Sequence, residues 1–466
     1  MQTSLKISAA DMAATHRERF YSMFDLEGAD NAIVVMRGGS VEHRYDTDFE
    51  LPFRQESRFW YLTGVSEPDY SAIFVPKTGE CHLFAPKREA SYAVWNGRIR
   101  SQEDIQALYK PDALHYSDAM QSVIDELAPD RIFTGAEGDL AALGVGAPEG
   151  CEIDHRSVID ILTLCRLYKT EGELERLRFA NKANCDAHHA VLRSVRPDAW
   201  EYQMKGVLEG TLMQRGLQFP AYNGIYASGT NSAILHYVVN NQQMGDGELF
   251  LIDSGYEFEG YGADLTRTWP VNGVFSDVQR EMYSIVLEMQ KRTIAATRPG
   301  VKMEDLHFLA CRTLLEGLLE GGYVKGSVED LMAQNIFALF FPHGLGHFLG
   351  LDVHDPGGYP KGVDRIDRPG VRFLRSRREL ESGMVITIEP GFYMIPALLG
   401  PAFDDPTQSS FLNRSKLEPL LDFGGIRIED NLVLNDSDMG HENMTSLVKE
   451  IDEIEAIMKD AKGVRG

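Results

Sequence analysis

Residues 251–268 read LIDSGYEFEGYGADLTRT, and the two aspartates in this stretch, Asp253 and Asp264, are the most informative feature of the chain. The pattern predicts a strand over 249–254, a second over 262–268 and a turn at about 257–260. With the turn centred there, Asp253 lies opposite Asp264, with the two Cβ atoms about 5 Å apart. Carboxylates that close repel each other unless a cation lies between them, so the pair indicates a metal site. For the pair alone, two solvated aspartates are the more ordinary interpretation.

The composition is that of a globular protein long enough for two domains. The chain has 466 residues, of which 43% are hydrophobic, which is ample for two cores. The net charge of −24 argues against nucleic acid as a partner, because a phosphate backbone is bound by a basic face.

The cysteines and the N-terminal segment bear on the compartment. Five widely spaced cysteines (Cys81, Cys151, Cys165, Cys185 and Cys311) favour neither a disulfide framework nor a thiolate zinc site. Residues 1–12 lack the apolar core of a signal peptide, and the chain has no apolar run long enough to span a membrane. We therefore expect a cytoplasmic protein that is neither exported nor anchored.

The hydrophobic pattern changes near residue 165. Residues 10–160 alternate helical and strand patterns, which predicts an α/β domain over 1–165. Thr170 and Glu173 have capping-box spacing ahead of a long predicted helix. Beyond them, long helices alternate with antiparallel strands, so we predict an α+β domain over 166–466.

Residues 341–358 read FPHGLGHFLGLDVHDPGG and contain three histidines. The spacing of His343 and His347 is that of a zincin helix, but a glycine, Gly344, stands where that mechanism needs glutamate. The glycines argue against a regular helix and for close packing of the backbone. Any one of these histidines alone would be interpreted as structural, but three together favour a site.

Two further carboxylates end apolar strands. Glu389 follows the predicted strand 384–388, and Glu429 shares a face with Arg427 in the predicted strand 425–430. A charge at the end of an apolar run is costly without a partner, although Arg427 and Glu429 could also form an ordinary surface ion pair. Together with Asp253, Asp264 and His347, these residues make four carboxylates and one imidazole, which is a ligand set for two metal ions.

The ordered motifs resemble the metal-dependent peptidases of the methionine aminopeptidase, aminopeptidase P and prolidase group. The motifs are NSAILHY at 231–237, Asp253, Asp264 with TRT at 266–268, HGLGH at 343–347, HD at 354–355, IEPG at 388–391 and GIRIED at 425–430. The first domain, with FRQ at 53–55, FWYLTG at 59–64 and WNGR at 95–98, is similar to the N-terminal domain of aminopeptidase P and prolidase. Within the group, HDPGGYP at 354–360 and FLNR at 411–414 are most similar to prolidases, the Xaa-Pro dipeptidases.

The resemblance implies a pita-bread catalytic domain, preceded by a smaller α/β domain of the creatinase and aminopeptidase P type. It implies two divalent metal ions held by Asp253, Asp264, His347, Glu389 and Glu429, with Asp264 and Glu429 bridging both. Oxygen-dominated ligation suits Mn²⁺ best and tolerates Co²⁺, Fe²⁺ or Zn²⁺.

The resemblance also implies roles in hydrolysis of the Xaa-Pro bond of dipeptides by a hydroxide that bridges two metal ions. Glu389 would transfer the proton, and His236 and His354 would stabilise the oxyanion and orient the substrate. His343 is expected to support the site from behind, and Arg427 to orient Glu429 or its neighbours.

A dipeptidase also has to bind a free C-terminal carboxylate, which a guanidinium matches best. Among the arginines at 372–378, Arg375 matches the prolidase arginine by its position upstream of Glu389, and Tyr222 is a candidate for the pocket wall. The main alternative is an aminopeptidase P that acts on longer peptides, with hydrolysis of organophosphorus esters as a side activity of either enzyme.

Two more distant relatives on this fold are metal-free creatinases and non-enzymatic binding domains, and the complete ligand set argues against both. The resemblance further implies a homodimer in which Trp95 and its neighbours border the partner's active site.

Overall fold

The computed structural model describes residues 5–24 and 31–465. These residues pack as two compact units. One contains the described residues up to Arg166 together with Thr170–Gly172, and the other contains Leu167–Lys169 and the chain from Glu173 onward. The predicted domain boundary at 165/166 stays a prediction, since packing alone does not test which segments fold independently. No helix in the described part of the chain is long and apolar enough to cross a membrane.

The first unit is built on one mixed sheet of six strands, in the order β4-β3-β2-β1-β5-β6. Its strands are Ala32–Arg37 (β1), Ser71–Val75 (β2), Glu80–Ala85 (β3), Ala113–Tyr116 (β4), Arg131–Thr134 (β5) and Glu152–Asp154 (β6). Its helices are Ala9–Ser22 (α1), Ser57–Thr63 (α2), Tyr92–Trp95 (α3), Gln102–Tyr109 (α4), Met120–Leu127 (α5), Asp139–Ala142 (α6) and Ser157–Leu167 (α7). The central strand β1 pairs antiparallel with β2 and parallel with β5. The alternating pattern of this region therefore forms an α/β unit.

The second unit surrounds short antiparallel sheets with long helices. Its helices are Glu171–Leu192 (α8), Glu201–Met213 (α9), Asp277–Ala296 (α10), Met303–Glu320 (α11), Val328–Ala333 (α12), Pro396–Asp404 (α13), Gln408–Phe411 (α14), Arg414–Leu417 (α15) and Ile451–Arg465 (α16). Its strands are Phe219–Pro220 (β7), Ile225–Ser228 (β8), Leu249–Asp253 (β9), Tyr256–Glu257 (β10), Thr266–Pro270 (β11), Val385–Ile388 (β12), Gly391–Tyr393 (β13), Gly425–Arg427 (β14), Asp430–Leu434 (β15) and His441–Asn443 (β16).

Two sheets of the second unit have three strands each. Their orders are β11-β9-β8 and β12-β15-β16, and β13 pairs with β14 in a separate ribbon. Helices α10 and α11 contribute Val286 and Leu314 to the same buried cluster as Ile386 and Ile426 from the strands. Helix α10 starts at a capping box, in which Ser276 and Gln279 satisfy each other's main-chain N–H groups. The apolar faces of the strands therefore lie in the core, while their ends are left for polar residues.

The predicted hairpin has a different register. Asp253 pairs with Thr266, not with Asp264, because β11 begins at Thr266 and the connecting segment forms the short strand β10. Asp264 therefore lies two residues before β11, outside the ladder. The predicted strand over 425–430 is likewise interrupted, since β14 ends at Arg427 and β15 begins at Asp430. In both cases the predicted ligand lies at a break between strands.

Candidate metal centre

All the side chains predicted for the site line one cavity of about 560 Å³ in the second unit. They are Tyr222, His236, Asp253, Asp264, His343, His347, His354, Arg375, Glu389, Arg427 and Glu429. They come from strand ends and loops that are separated by up to about two hundred residues in the sequence. The structure therefore brings the predicted residues together, while their individual roles stay predictions.

Five of these residues, Asp253, Asp264, His347, Glu389 and Glu429, are called the ligand cage below. Three of them form its centre, because one ligand atom each from Asp264, His347 and Glu429 lie within 4.8 Å of one another. His347 Nε2 is 3.2 Å from Asp264 Oδ2 and 3.5 Å from Glu389 Oε1. A tight group of one imidazole and several carboxylates is the kind of donor set that divalent transition ions bind.

The approach of His347 to this group depends on a glycine. A Cβ atom at Gly346 would lie 2.0 Å from the carbonyl oxygen of Thr387 in β12. Only glycine therefore allows the segment before His347 to pack directly against this strand. The close packing predicted from the glycines of this segment is confirmed, and the segment 341–350 contains no helix.

Glu429 provides the clearest sign that a cation belongs here. Its Oε2 accepts a 2.7 Å hydrogen bond from Thr266 Oγ1, whereas its Oε1 is buried and has no hydrogen-bond partner among the described residues. Burial, followed by the charge of Asp264, raises the pKa of Glu429 well above its ordinary value. A buried and unpaired carboxylate oxygen among other carboxylates costs free energy unless a cation meets it. The donor set therefore fits divalent metal ions.

The pKa values of the other carboxylates of the cage are also shifted, to different degrees. Burial raises the pKa of Glu389 to about 7. Burial also raises the pKa of Asp253, although the charge of Arg427 partly opposes the effect. Asp264 is the exception, because burial raises its pKa but the hydrogen bond and charge of His347, together with a hydrogen bond from Tyr222, outweigh burial and lower the pKa. The cage thus holds more negative charge than its own histidine and one arginine compensate.

Arg427 contacts Asp253 and not Glu429. Its Nη2 donates a 2.6 Å hydrogen bond to Asp253 Oδ2, and Tyr222 donates from its hydroxyl to Asp253 Oδ1 at 2.7 Å. Both oxygens of Asp253 therefore accept a hydrogen bond from a side chain that lines the cavity. Arg427 thus contacts Asp253, a neighbour of Glu429 in the cage, and its predicted role in orienting a ligand stays a prediction. Tyr222 makes a contact that its predicted place in the pocket wall did not specify.

Tyr393 is a residue that the sequence did not reveal. Its hydroxyl accepts a 2.7 Å hydrogen bond from Arg427 Nη1 and lies 2.9 Å from His343 Nε2. Because His343 Nδ1 lies 2.8 Å from the carbonyl oxygen of Gly344, a consistent network has Nδ1 as the donor and Nε2 accepting from Tyr393. Tyr393 therefore joins His343 to Arg427. It ends an apolar strand, and nothing in the local pattern distinguishes it from a core tyrosine.

His354 and His236 lie at the open side of the cavity. The ring of His354 meets the ring of His347 edge-on, with 4.4 Å between centroids. His236 is exposed on the loop between β8 and β9. Their side chains are accessible to a molecule in the cavity, as oxyanion-binding groups have to be.

The loop of His236 is tethered by Glu201, a second residue that sequence reasoning missed. The buried carboxylate of Glu201 accepts hydrogen bonds from the Ser228 main chain at 2.7 Å, the Tyr237 hydroxyl at 2.8 Å and the Gln242 main chain at 2.9 Å. These donors lie at both ends of the loop and beside His236. A charged acceptor with several donors is a strong tether, so Glu201 fixes the loop without entering the cavity.

Arg375 differs from the other arginines of its segment. It lines the cavity, and no hydrogen bond or ion pair joins it to another described residue. The neighbouring arginines are engaged: Arg372 pairs with Asp367 at 2.9 Å, and Arg377 pairs with Glu304 at 2.7 Å. The Nε of Arg378 donates to the Gly357 carbonyl oxygen at 2.8 Å. Arg375 is therefore the guanidinium of this segment that is left for a ligand.

Comparison with known families places the chain. Residues 175–436 match the model of metallopeptidase family M24, and residues 13–133 match the aminopeptidase P N-terminal domain. The chain belongs to metallopeptidase family M24. Membership confirms that it is an enzyme of the metallopeptidase class, and it confirms the predicted fold class of an α+β pita-bread domain after a smaller α/β domain.

Relatives of this chain within family M24 include proteins named as dipeptidases and proteins named as aminopeptidases. The human Xaa-Pro dipeptidase is 39% identical over 98% of this chain and 94% of its own length. A probable Xaa-Pro aminopeptidase of Verticillium alfalfae is 35% identical over 91% of this chain and 92% of its own length. Aminopeptidase P from Escherichia coli, solved with the inhibitor Pro-Leu, superposes with a TM-score of 0.82 at 32% identity, covering 98% of this chain and 99% of that chain.

Proposed function

We propose that the protein is an Xaa-Pro dipeptidase that depends on two divalent metal ions. The observation that carries the substrate length is Arg375, an unpaired guanidinium on the wall of the cavity that contains the ligand cage. A dipeptide has its free carboxylate one residue beyond the scissile bond, so a cation close to the cage matches it. The human dipeptidase, at 39% identity over nearly the full chain, supports the same choice.

The ligand cage is proposed to hold the metal ions, and Asp264 and Glu429 lie at its centre together with His347. Its donors are mostly carboxylate oxygens, for which Mn²⁺ is the best match among the ions that imidazole also tolerates, namely Co²⁺, Fe²⁺ and Zn²⁺. When bound, two such ions acidify a shared water and polarise the scissile carbonyl.

The chain's own residues are proposed to orient the substrate and move the proton. Glu389 Oε2 lies 3.9 Å from His343 Nδ1 at the edge of the cage, where its carboxylate can accept the proton of the attacking water and return it to the leaving proline nitrogen. His236 and His354, which face the open side, donate to the developing oxyanion. Arg427 and Tyr222 keep Asp253 in place, and Tyr393 and His343 support Arg427 from behind.

The first test is a length series with protein that has been stripped of metal and reloaded with Mn²⁺. We expect hydrolysis of Ala-Pro, much weaker hydrolysis of Ala-Pro-Ala, and none by the stripped protein. Equal or faster cleavage of the tripeptide would replace the dipeptidase by the alternative, an aminopeptidase P. Hydrolysis by the stripped protein at the reloaded rate would overturn the metal dependence.

The second test compares Arg375→Ala with Arg372→Ala, a neighbouring arginine that is already paired with Asp367. Losing a charge-assisted contact of about 2 kcal/mol corresponds to roughly a 30-fold lower kcat/KM for Ala-Pro in Arg375→Ala, with unchanged metal content, while Arg372→Ala stays within about twofold. With Ala-Pro amide, which lacks the carboxylate, wild type and Arg375→Ala should be equal. A loss of the same size on the amide would assign Arg375 a structural part instead.

Two further properties are proposed. Val94 and Trp95 are 76% and 86% exposed in the first unit. Because large exposed apolar side chains are typical of a contact between subunits, we propose that the protein is a homodimer. Comparing the sedimentation of wild type and Trp95→Glu would test this. We also propose a location in the reducing cytoplasm, because Cys81, Cys151, Cys185 and Cys311 form no disulfide among the described residues.

The activated water that the cage would provide can also attack phosphorus. A side activity on organophosphorus esters is therefore proposed for the same site, and loss of it together with dipeptide hydrolysis in Glu429→Gln would assign both reactions to one centre.

A further inference from the structure

Asp264 is held in place by an unusual contact. Its main-chain N–H donates to Asn431 Oδ1 at 3.0 Å, and its carbonyl oxygen accepts from Asn431 Nδ2 at 2.6 Å. Because Asp264 lies outside β11, it has no strand neighbour for these groups. The side chain of Asn431 takes the place of that neighbour and fixes the backbone from which the carboxylate projects.

His347 is held in a comparable way. Its main-chain N–H donates to Thr387 Oγ1 at 3.1 Å, and its carbonyl oxygen accepts from the Thr387 main-chain N–H at 2.9 Å. Thr387 Oγ1 also lies 3.4 Å from Glu389 Oε1. One residue of β12 therefore fixes the backbone of His347 and contacts a second member of the ligand cage.

Asn431 and Thr387 are themselves direct partners across two strands. They face each other in the register of β12 and β15, and both are fully buried. Opposed residues of an antiparallel pair extend from the same face of the sheet at a fixed separation. The two contacts therefore share one rigid base, and this base sets how far Asp264 is from His347.

We propose that the pair Asn431 and Thr387 is a positioning pair that sets the metal affinity of the cage without ligating metal. The inference rests on the proposed metal centre. Ligands that are held in their binding geometry before the ion arrives bind it more tightly, and loss of such supporting contacts typically costs about 10- to 100-fold in metal affinity. Substitution of Asn431 is expected to lower the metal affinity more than substitution of Thr387, because the Asn431 side chain bonds both main-chain groups of Asp264.

The chain contains a matched control for Asn431. Asn184 in α8 is also fully buried, and it makes the same two contacts to a residue that is not in the cage: the Tyr256 N–H donates to Asn184 Oδ1 at 3.0 Å, and Asn184 Nδ2 donates to the Tyr256 carbonyl oxygen at 3.0 Å. Leucine has nearly the shape of asparagine and removes both contacts; at position 184 it also removes a 2.8 Å hydrogen bond from Nδ2 to the Ala180 carbonyl oxygen of the same helix. Asn431→Leu and Asn184→Leu therefore differ chiefly in which residue is released.

The experiment measures Mn²⁺ affinity by competition with a chelator, together with thermal unfolding of the metal-free proteins. We expect Asn431→Leu to bind Mn²⁺ at least about tenfold more weakly than wild type, and Asn184→Leu to stay within about twofold, although both metal-free variants unfold at lower temperature. Affinity within twofold in Asn431→Leu, or an equal loss in Asn184→Leu, would overturn the proposal. Absence of Mn²⁺ binding by wild type would instead overturn the proposed metal centre.

A second pair of variants decides the matter if Asn431→Leu does not fold. Thr387→Val keeps the shape and the main-chain contact but removes the hydroxyl, and Thr387→Ser restores the hydroxyl. We expect weaker Mn²⁺ binding in the valine variant and recovery in the serine variant. Equal affinity in the two would show that the hydroxyl does not set the geometry, and the proposal would fail.

Discussion

Glu429 and Asp430 are adjacent in the chain and equally buried, yet the protein treats their charges in opposite ways. Glu429 faces the ligand cage, where one of its oxygens has no partner among the described residues. Asp430 instead lies between two basic side chains. These three residues, Arg267, Asp430 and Lys449, are called the Arg267 cluster below. There Arg267 Nη2 lies 2.8 Å from one carboxylate oxygen and Lys449 Nζ lies 2.6 Å from the other.

The pKa values express the same contrast. Burial raises the pKa of Glu429 well above its ordinary value, and the neighbouring carboxylates add to the effect. Burial alone would raise the pKa of Asp430 too, but the charges of Arg267 and Lys449 outweigh it and lower the pKa to about 2. Burial by itself therefore does not make a site. The distinguishing property of the cage is buried negative charge that the chain does not neutralise, and this leaves the charge for an ion.

The largest effect is expected from Glu429→Gln, which removes the uncompensated charge. Loss of this proposed ligand should lower kcat/KM for Ala-Pro by at least about a thousandfold, or roughly 4 kcal/mol. Because the amide is neutral, the metal-free variant should be as stable as metal-free wild type or more stable. Urea unfolding in the presence of a chelator measures this, and a destabilised metal-free variant would contradict the contrast.

Asp430→Asn should show the opposite pattern. Removing this carboxylate leaves the buried guanidinium of Arg267 without its counter-charge, which typically costs about 3–5 kcal/mol. Asp452→Asn is the control, because Asp452 is 97% exposed in its 3.5 Å contact with Arg280, and such surface pairs contribute about 1 kcal/mol or less. The free energy of unfolding distinguishes them, and similar small losses in both would mean that the Arg267 cluster is not a structural anchor.

Part of this arrangement could be predicted from the sequence and part could not. The positions of Asp253, Asp264, His347, Glu389 and Glu429 follow from carboxylates and an imidazole at the ends of apolar strands, and from the resemblance of their motifs. The register of Asp264 was wrong, since local alternation extends β11 over residues whose main chain is in fact held by Asn431.

Residues that hold the backbone of another residue could not be predicted from the sequence, for a general physical reason. The backbone contacts of Asn431, Thr387 and Glu201 are 27 to 167 residues away in the chain. Each is a polar residue in, or at the start of, an otherwise ordinary strand or helix. Local pattern reports which face is buried, but it does not report which distant main-chain group a buried amide or hydroxyl meets. Tyr393 escaped for the same reason.

Metal addition provides a smaller effect that separates the two regions directly. A ligand that binds only the folded state at a hundred times its Kd stabilises it by about 2.7 kcal/mol. Mn²⁺ should therefore raise the Tm of wild type and of Asp430→Asn, but not of Glu429→Gln. A rise of equal size in Glu429→Gln would place the ion outside the cage, and no rise in wild type would leave its uncompensated charge unexplained.

The smallest effect comes from a buried group that has no counter-charge among the described residues. His307 in α11 is fully buried, with ring centroids of Phe308 and Phe341 at 5.8 and 5.5 Å. Burial lowers its pKa to about 4, whereas the unfolded chain has the ordinary value of about 6.5. Below pH 6.5 His307 becomes protonated in the unfolded state, whereas in the folded state it stays neutral until the pH approaches 4. The stabilisation is therefore fully present above that pH and is lost progressively as the pH falls towards 4.

His307→Phe isolates this contribution. At pH 5 the difference of about 1.5 pH units corresponds to about 2 kcal/mol, so the free energy of unfolding of wild type should fall by that much more than that of the variant between pH 7.5 and pH 5. Both proteins are measured with a chelator, so that the titration of the cage cancels, and the difference at pH 7.5 accounts for packing. A difference that does not change with pH would mean that His307 accepts a proton in the folded state. Burial in this protein would then be too weak to keep the His307 side chain neutral. The raised pKa of Glu429 would in that case have to come mainly from its carboxylate neighbours.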